Sequence, residues 1–149
     1  MDTYEINKDT LAILPNTENE SIVFEKDNKY VINESVDKIM EDSCLYFGSN
    51  LKGRQLGSSS LLNLTHKVPI VIEESSNIIF FPTTSPRLAK CSWISLNNIE
   101  SYERNEKGTK INFIDGQSVI VPISYGMINN QILRSSRLQY LLNNRRKEK

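Results

Sequence analysis

Asp115-Gly116 stands between two runs of apolar and β-branched residues, Lys110 to Ile114 and Ser118 to Ile123. An Asp-Gly pair readily takes the positive φ angles of a tight hairpin turn, so this stretch is constrained to pair antiparallel. Trp93 to Tyr102 reads as a third strand nearby. Val68 to Ile72 and Ile78 to Phe81 are separated by Glu73-Glu74-Ser75-Ser76-Asn77 and predict a buried hairpin closed by Pro82. Upstream, Thr3 to Asn7 and Leu11 to Leu14 read as short strands around Lys8-Asp9-Thr10, with Pro15 ending the second. Ser21 to Phe24 and Lys29 to Ile32 form a further hairpin around Asp27-Asn28.

Two stretches follow a helical period instead. Val36, Ile39, Met40 and Cys44 predict a helix over Ser35 to Tyr46, with Ser35 or Asn33 able to cap its first free amides. After Pro122, Ile128, Ile132, Leu138 and Leu142 share one helical side, while Asn130, Arg134 and Arg137 share another. Between them, Gly48, Gly53 and Gly57, with Ser49, Ser58, Ser59 and Ser60, break both periods and read as a long loop or a short helix between turns. Residues 143–149 are expected to form a basic, frayed tail. The expectation is one α+β domain over 1–149: a mostly antiparallel β-sheet with hairpins, one central helix and one C-terminal helix.

At 149 residues the chain suits one ordinary core, which excludes a two-domain enzyme. Its net charge is zero, but residues 1–48 hold eleven acidic and four basic residues, so the remainder carries +7. Such asymmetry points to a basic surface that could meet a polyanion. No apolar run is long enough for a membrane span or a signal peptide, and two cysteines fit a reducing compartment, so the expected location is the cytoplasm with no membrane partner.

Motifs for catalysis are weak. Cys44, His66 and Cys91 are the only cysteines and histidine, and their spacing matches no zinc module. Gly48-Ser49-Asn50-Leu51-Lys52-Gly53-Arg54-Gln55 narrowly misses the nucleotide-binding loop: Arg54 takes the lysine position, and Gln55 replaces the magnesium-binding hydroxyl. The expectation is therefore no enzyme, with no catalytic residue, metal or cofactor. Lys52 and Arg54 among glycines fit a backbone that approaches DNA phosphates, and equally a solvated turn. Arg134 and Arg137 fit a phosphate track, and equally an ordinary solvated helix face. His66, beside Lys67, fits either a structural surface residue or a DNA contact. Phe80, Phe81, Trp93 and Tyr102 are expected in the core rather than in a base-stacking platform.

The run Asp42-Ser43-Cys44-Leu45-Tyr46-Phe47-Gly48-Ser49, then Gly53-Arg54, Gly57 and Thr65-His66-Lys67-x-Pro69-Ile70, resembles the competence transcription factor (ComK) family of low-GC Gram-positive bacteria. The likeness continues through Phe80-Phe81-Pro82-Thr83, Cys91-x-Trp93-Ile94-Ser95, Phe113-x-Asp115-Gly116, and Ile123-Ser124-Tyr125 with Asn130-Gln131 and Arg134. Tyr4-Glu5-Ile6-Asn7 and Ala12-x-Leu14-Pro15 extend it to the N-terminal end. The resemblance implies an oligomeric activator of DNA-uptake genes that binds AT-rich promoter boxes in double-stranded DNA and works with RNA polymerase. It implies minor-groove reading, where a narrow groove favours inserted Arg or Lys. Lys52, Arg54, His66 and Lys67 then become the first candidate contacts, with Arg87 and Lys90 next.

Two departures shape the alternatives. Val68 stands where the family pattern has the first of two prolines, which loosens one turn. Longer relatives continue past the last helix, which implies a truncated form, a short paralogue, or a DNA binder that competes with a longer one. A protein-interaction module that titrates a regulator or a protease adaptor is the second reading. A sheet-based DNA binder of the LytTR type is the third, resting only on the hairpins from Trp93 to Ile123.

Overall fold

The computed structural model describes residues 1–147, which form nine strands and three helices. In order these are β1 (Thr10–Thr17), β2 (Glu20–Glu25), β3 (Asn28–Ile32), α1 (Val36–Tyr46), α2 (Leu51–Leu62), β4 (Ile70–Glu73), β5 (Ile78–Pro82) and β6 (Trp93–Ser95). A 3-10 turn over Leu96–Asn98 leads to β7 (Ile99–Asn105), β8 (Gly108–Phe113), β9 (Ser118–Val121) and α3 (Tyr125–Lys147). The first six strands make an antiparallel sheet in the order β3-β2-β1-β6-β5-β4, and the last three make a second sheet, β7-β8-β9. The α+β class, the hairpins and the C-terminal helix match the expectation.

Period-two alternation sends successive side chains of the large sheet to opposite faces, and both faces are buried. Ile13, Val23, Ile70, Phe80 and Trp93 pack beneath Ile39, Met40 and Cys44 of α1. Ala12, Phe81 and Ile94 meet Ile111, Phe113, Val119 and Val121 of the small sheet and Ile128 of α3. Farther along, Leu138 and Leu142 of α3 close over Val71, Ile79 and Leu62. Phe80, Phe81 and Trp93 are fully buried, as expected of core residues. Burial of each such side chain contributes roughly 1.5–3 kcal/mol.

The two sheets are also tied at their hairpin tips. Asp27 donates its amide to Asp115 Oδ2 at 2.8 Å, and Gln117 Nε2 donates to the Glu25 carbonyl at 2.8 Å. Gly116 takes φ +93, the left-handed angle for which the Asp-Gly pair was read.

Four local expectations change. Thr3 to Asn7 is not a strand: it lies against α1, where Ile6 donates its amide to Ser43 Oγ at 3.0 Å. Pro15 does not end β1, because β6 pairs only with Ala12 and Ile13, so past Ile13 that side of the strand has no ladder to break. Trp93 to Tyr102 divides between the two sheets at Leu96–Asn98. There Asn98 Nδ2 donates to the carbonyls of Lys8 and Thr10 and to Ser95 Oγ, at 3.0–3.1 Å. The glycine-punctuated stretch is a twelve-residue helix, α2, so there are two central helices.

Helix α2 overcomes its glycines through its ends. Asn50 Oδ1 accepts from the Gly53 amide at 2.6 Å, and Glu41 Oε2 of α1 accepts from the Leu51 amide at 2.9 Å. Asn63 terminates it in the left-handed conformation. Ser35 caps α1, accepting from Lys38 at 3.2 Å. At the C-terminal end, α3 continues through Lys147, where the expectation was a frayed tail over 143–149. Arg146 secures this end by donating to the Glu74 carbonyl at 2.9 Å and to Asn77 Oδ1 at 3.2 Å. Lys149, also counted in that tail, lies outside the described residues.

Candidate functional site

Three chain segments meet beside α2. The first is the connection from Asn63 to β4, which carries His66 and Lys67. The second is the loop after β5, which carries Arg87 and Lys90. The third is the middle of α3.

Gln131 joins all three. It lies in the buried stripe of α3, where apolar periodicity would place a hydrocarbon, and is 3% exposed. Its Nε2 donates to the Lys67 carbonyl at 2.9 Å and to the Pro82 carbonyl at 2.7 Å. The part-buried carbonyl of the first connection and the buried carbonyl at the end of β5 thus share one donor group and are held at a fixed spacing. Lys67 itself sits at φ +51, a left-handed angle that costs a non-glycine residue roughly 1–2 kcal/mol and that its fixed carbonyl helps to hold. One turn further, Arg134 Nη1 reaches the His66 carbonyl at 3.4 Å and Gln131 Oε1 at 3.3 Å. The Arg87 loop is pinned at its base, where Thr83 donates its amide to the Ser92 carbonyl at 2.9 Å and the Ser92 amide donates to Thr83 Oγ1 at 3.0 Å.

These constraints open a groove of about 590 Å3 between α2 and the two loops. Lys52, His66, Lys67 and Arg87 line it, and among the described residues no Asp or Glu lines it. The ion pairs among the described residues are Lys38–Asp42 and Lys110–Glu103, so no groove cation has an acidic partner. Gln55, Ser59, Thr65 and Ser85 add hydrogen-bonding groups to the walls. Unpaired cations in a concave, carboxylate-free setting focus positive potential.

The other candidates lie elsewhere. Arg54 faces the opposite side of α2, in a separate cavity beside α3. Lys90 lines a neighbouring cleft that it shares with Arg87, Glu18 and Asp37. Burial pushes the Asp37 carboxyl above its ordinary pKa. Arg137 is exposed on α3. The expected site therefore divides: four candidates line one groove, Arg134 braces its wall, and three lie outside it. Gln131 and the four neutral groove residues were not among the candidate contacts read from the sequence. A glutamine within a buried helical stripe was the available signal for the first.

Cys44 and Cys91 are buried free thiols. Burial pushes Cys44 up to about 11, against a smaller opposing effect of Arg54, and burial also raises Cys91. His66 is exposed, and no group of three or more His, Cys, Asp or Glu side chains among the described residues could hold a metal ion. Tyr102 is only partly buried. It stacks on Tyr125 with ring centroids 5.2 Å apart and donates to Asn129 Oδ1 at 2.5 Å.

Fold and site together define an antiparallel α+β protein whose loops, clamped by a helix, present a cationic groove free of carboxylates. The family model described as ComK protein matches residues 1–147, and the chain belongs to that family. It is 33% identical over 143 residues to the competence transcription factor of Bacillus subtilis (strain 168), an overlap covering 93% of this chain and 74% of the relative. No solved structure matches it.

Proposed function

We propose that the chain is a regulator of competence transcription that binds double-stranded, AT-rich promoter DNA through the groove beside α2. The observation that carries this reading is the convergence of Lys52, His66, Lys67 and Arg87 in one groove without a carboxylate. Family membership and the relative's description as a competence transcription factor support the regulatory role. Exposed cations on clamped loops suit a narrow, electronegative minor groove, where long Lys and Arg side chains reach between the two phosphate backbones. The whole chain acts as one DNA-binding domain in the cytoplasm, as a homo-oligomer that places several grooves along one promoter and works with RNA polymerase. Among the described residues no helix is long and apolar enough to cross a membrane.

Gel-shift titration of AT-box DNA against GC-rich duplex of equal length, across a salt series, tests the proposal. Preference for the AT-rich duplex is expected. One phosphate contact from each of Lys52, Lys67 and Arg87 would give a log–log salt slope of roughly −2.7. Equal affinity for both duplexes at every salt concentration would refute sequence-selective binding.

A further inference from the structure

The far side of α2 holds a second polar site that the groove does not use. A cavity of about 200 Å3 lies between α2, β4 and α3, lined in part by Arg54, Gly57, Ser58, Glu74 and Arg145. Ser58 is 2% exposed, and its hydroxyl has no hydrogen-bond partner among the described residues; the buried Nε of Arg54 has none among them either. The two residues are four apart on one helix and so share a face. A Cβ placed on Gly57 would meet nothing within 4 Å, so the helix surface between them is open. A buried, unpaired guanidinium Nε and hydroxyl are costly unless a ligand satisfies them. Among the described lining residues Glu74 offsets one of the two arginines, which leaves a charge of +1.

We propose that this cavity binds a phosphate group, gripped by the planar fork of Arg54, the hydroxyl of Ser58 and the charge of Arg145. A guanidinium can present two parallel N–H groups to two oxygens of one oxyanion, and the serine hydroxyl donates to a third. The phosphate comes either from a small free anion or from a nucleic-acid backbone. The site is independent of the groove, so either can fail without the other.

The test titrates the full chain with inorganic phosphate at constant ionic strength, with chloride as the replacement, by calorimetry and by melting temperature. Saturable heat and a rising melting temperature are expected, with affinity at least about tenfold weaker in Arg54→Ala and in Ser58→Ala. Ser58→Ala guards against a folding artefact, because removing an unpaired buried hydroxyl leaves the phosphate-free protein at least as stable. Lys52→Ala, on the other side of the helix, keeps the phosphate response. Duplex binding by the same variants identifies the source. Loss of duplex affinity in both Arg54→Ala and Ser58→Ala assigns a backbone phosphate, and unchanged duplex affinity assigns a free anion. A non-saturating response, or one equal in wild type, Arg54→Ala and Ser58→Ala, overturns the proposal.

Discussion

The buried amide of Gln131 donates to the Lys67 carbonyl at 2.9 Å across 64 residues of sequence, and the same nitrogen reaches the Pro82 carbonyl. A side chain of the last helix thereby sets the spacing between the two loops that wall the groove. Gln131→Leu keeps a similar volume but removes both bonds, leaving the buried Pro82 carbonyl unpaired at about 1–3 kcal/mol and the part-buried Lys67 carbonyl at less. Urea unfolding should show a lower midpoint, and DNA affinity should fall even where the variant is fully folded. An unchanged midpoint would show that the clamp carries no stability.

Groove cations are expected to act through charge. Lys52→Ala, Lys67→Ala and Arg87→Ala should each weaken DNA binding and flatten the salt slope by about 0.9. Arg137→Ala and Lys90→Ala, which lie outside the groove, should change the slope less. Gel shifts at four or more salt concentrations separate the two sets.

Two glycines give opposite predictions. Gly108 has φ +136, and a Cβ there would stand 2.1 Å from the Val121 carbonyl oxygen. Gly108→Ala should lower stability by at least about 1–3 kcal/mol. Gly57 is helical with open space beside it, so Gly57→Ala should raise stability by roughly 0.5–1 kcal/mol. Thermal melts of the two variants check both signs.

The hairpin-tip tie is expected to weaken in acid. Burial pushes the Asp115 carboxyl up, but the Asp27 amide and the Gln117 donors outweigh it and hold the pKa below the ordinary carboxylate value. A depressed folded pKa means that the carboxylate stabilises above the unfolded value near 3.9 and loses this contribution as pH falls through the folded one. Asp115→Asn should lower stability at neutral pH and show a shallower acid decline below about pH 4. Denaturation midpoints from pH 2.5 to 7 measure this.

Cys44 should resist thiol reagents. Its pKa of about 11 and its burial leave little thiolate at pH 8. Reaction with a disulfide reagent should be slow in the native chain and fast in urea. Rapid native labelling at Cys44 would contradict its burial.

Strands announced by local chemistry were legible in the sequence: Asp115-Gly116 gave its hairpin, and the Ile78–Phe81 run gave a fully buried strand. Elements set by tertiary contact were not. Helix α2 depends on Glu41, a residue of another helix, to satisfy the Leu51 amide, and no propensity reading of Gly53 and Gly57 contains that bond. Asn98 divides the stretch from Trp93 to Tyr102 by donating to the carbonyls of Lys8 and Thr10, two residues far away in sequence. For the site, charge and residue type singled out Lys52, His66, Lys67 and Arg87. Helical phase separated Arg54 from Lys52, and that phase is invisible while the segment stands open between a long loop and a short helix.

The clamp also orders events during synthesis. Chains fold as they leave the ribosome, N-terminal parts first. The helix and the two loops that carry Lys52, His66, Lys67 and Arg87 emerge well before Gln131. Until α3 follows and docks, the two loops have no common anchor, so an incomplete nascent chain exposes the cations without the groove that arranges them.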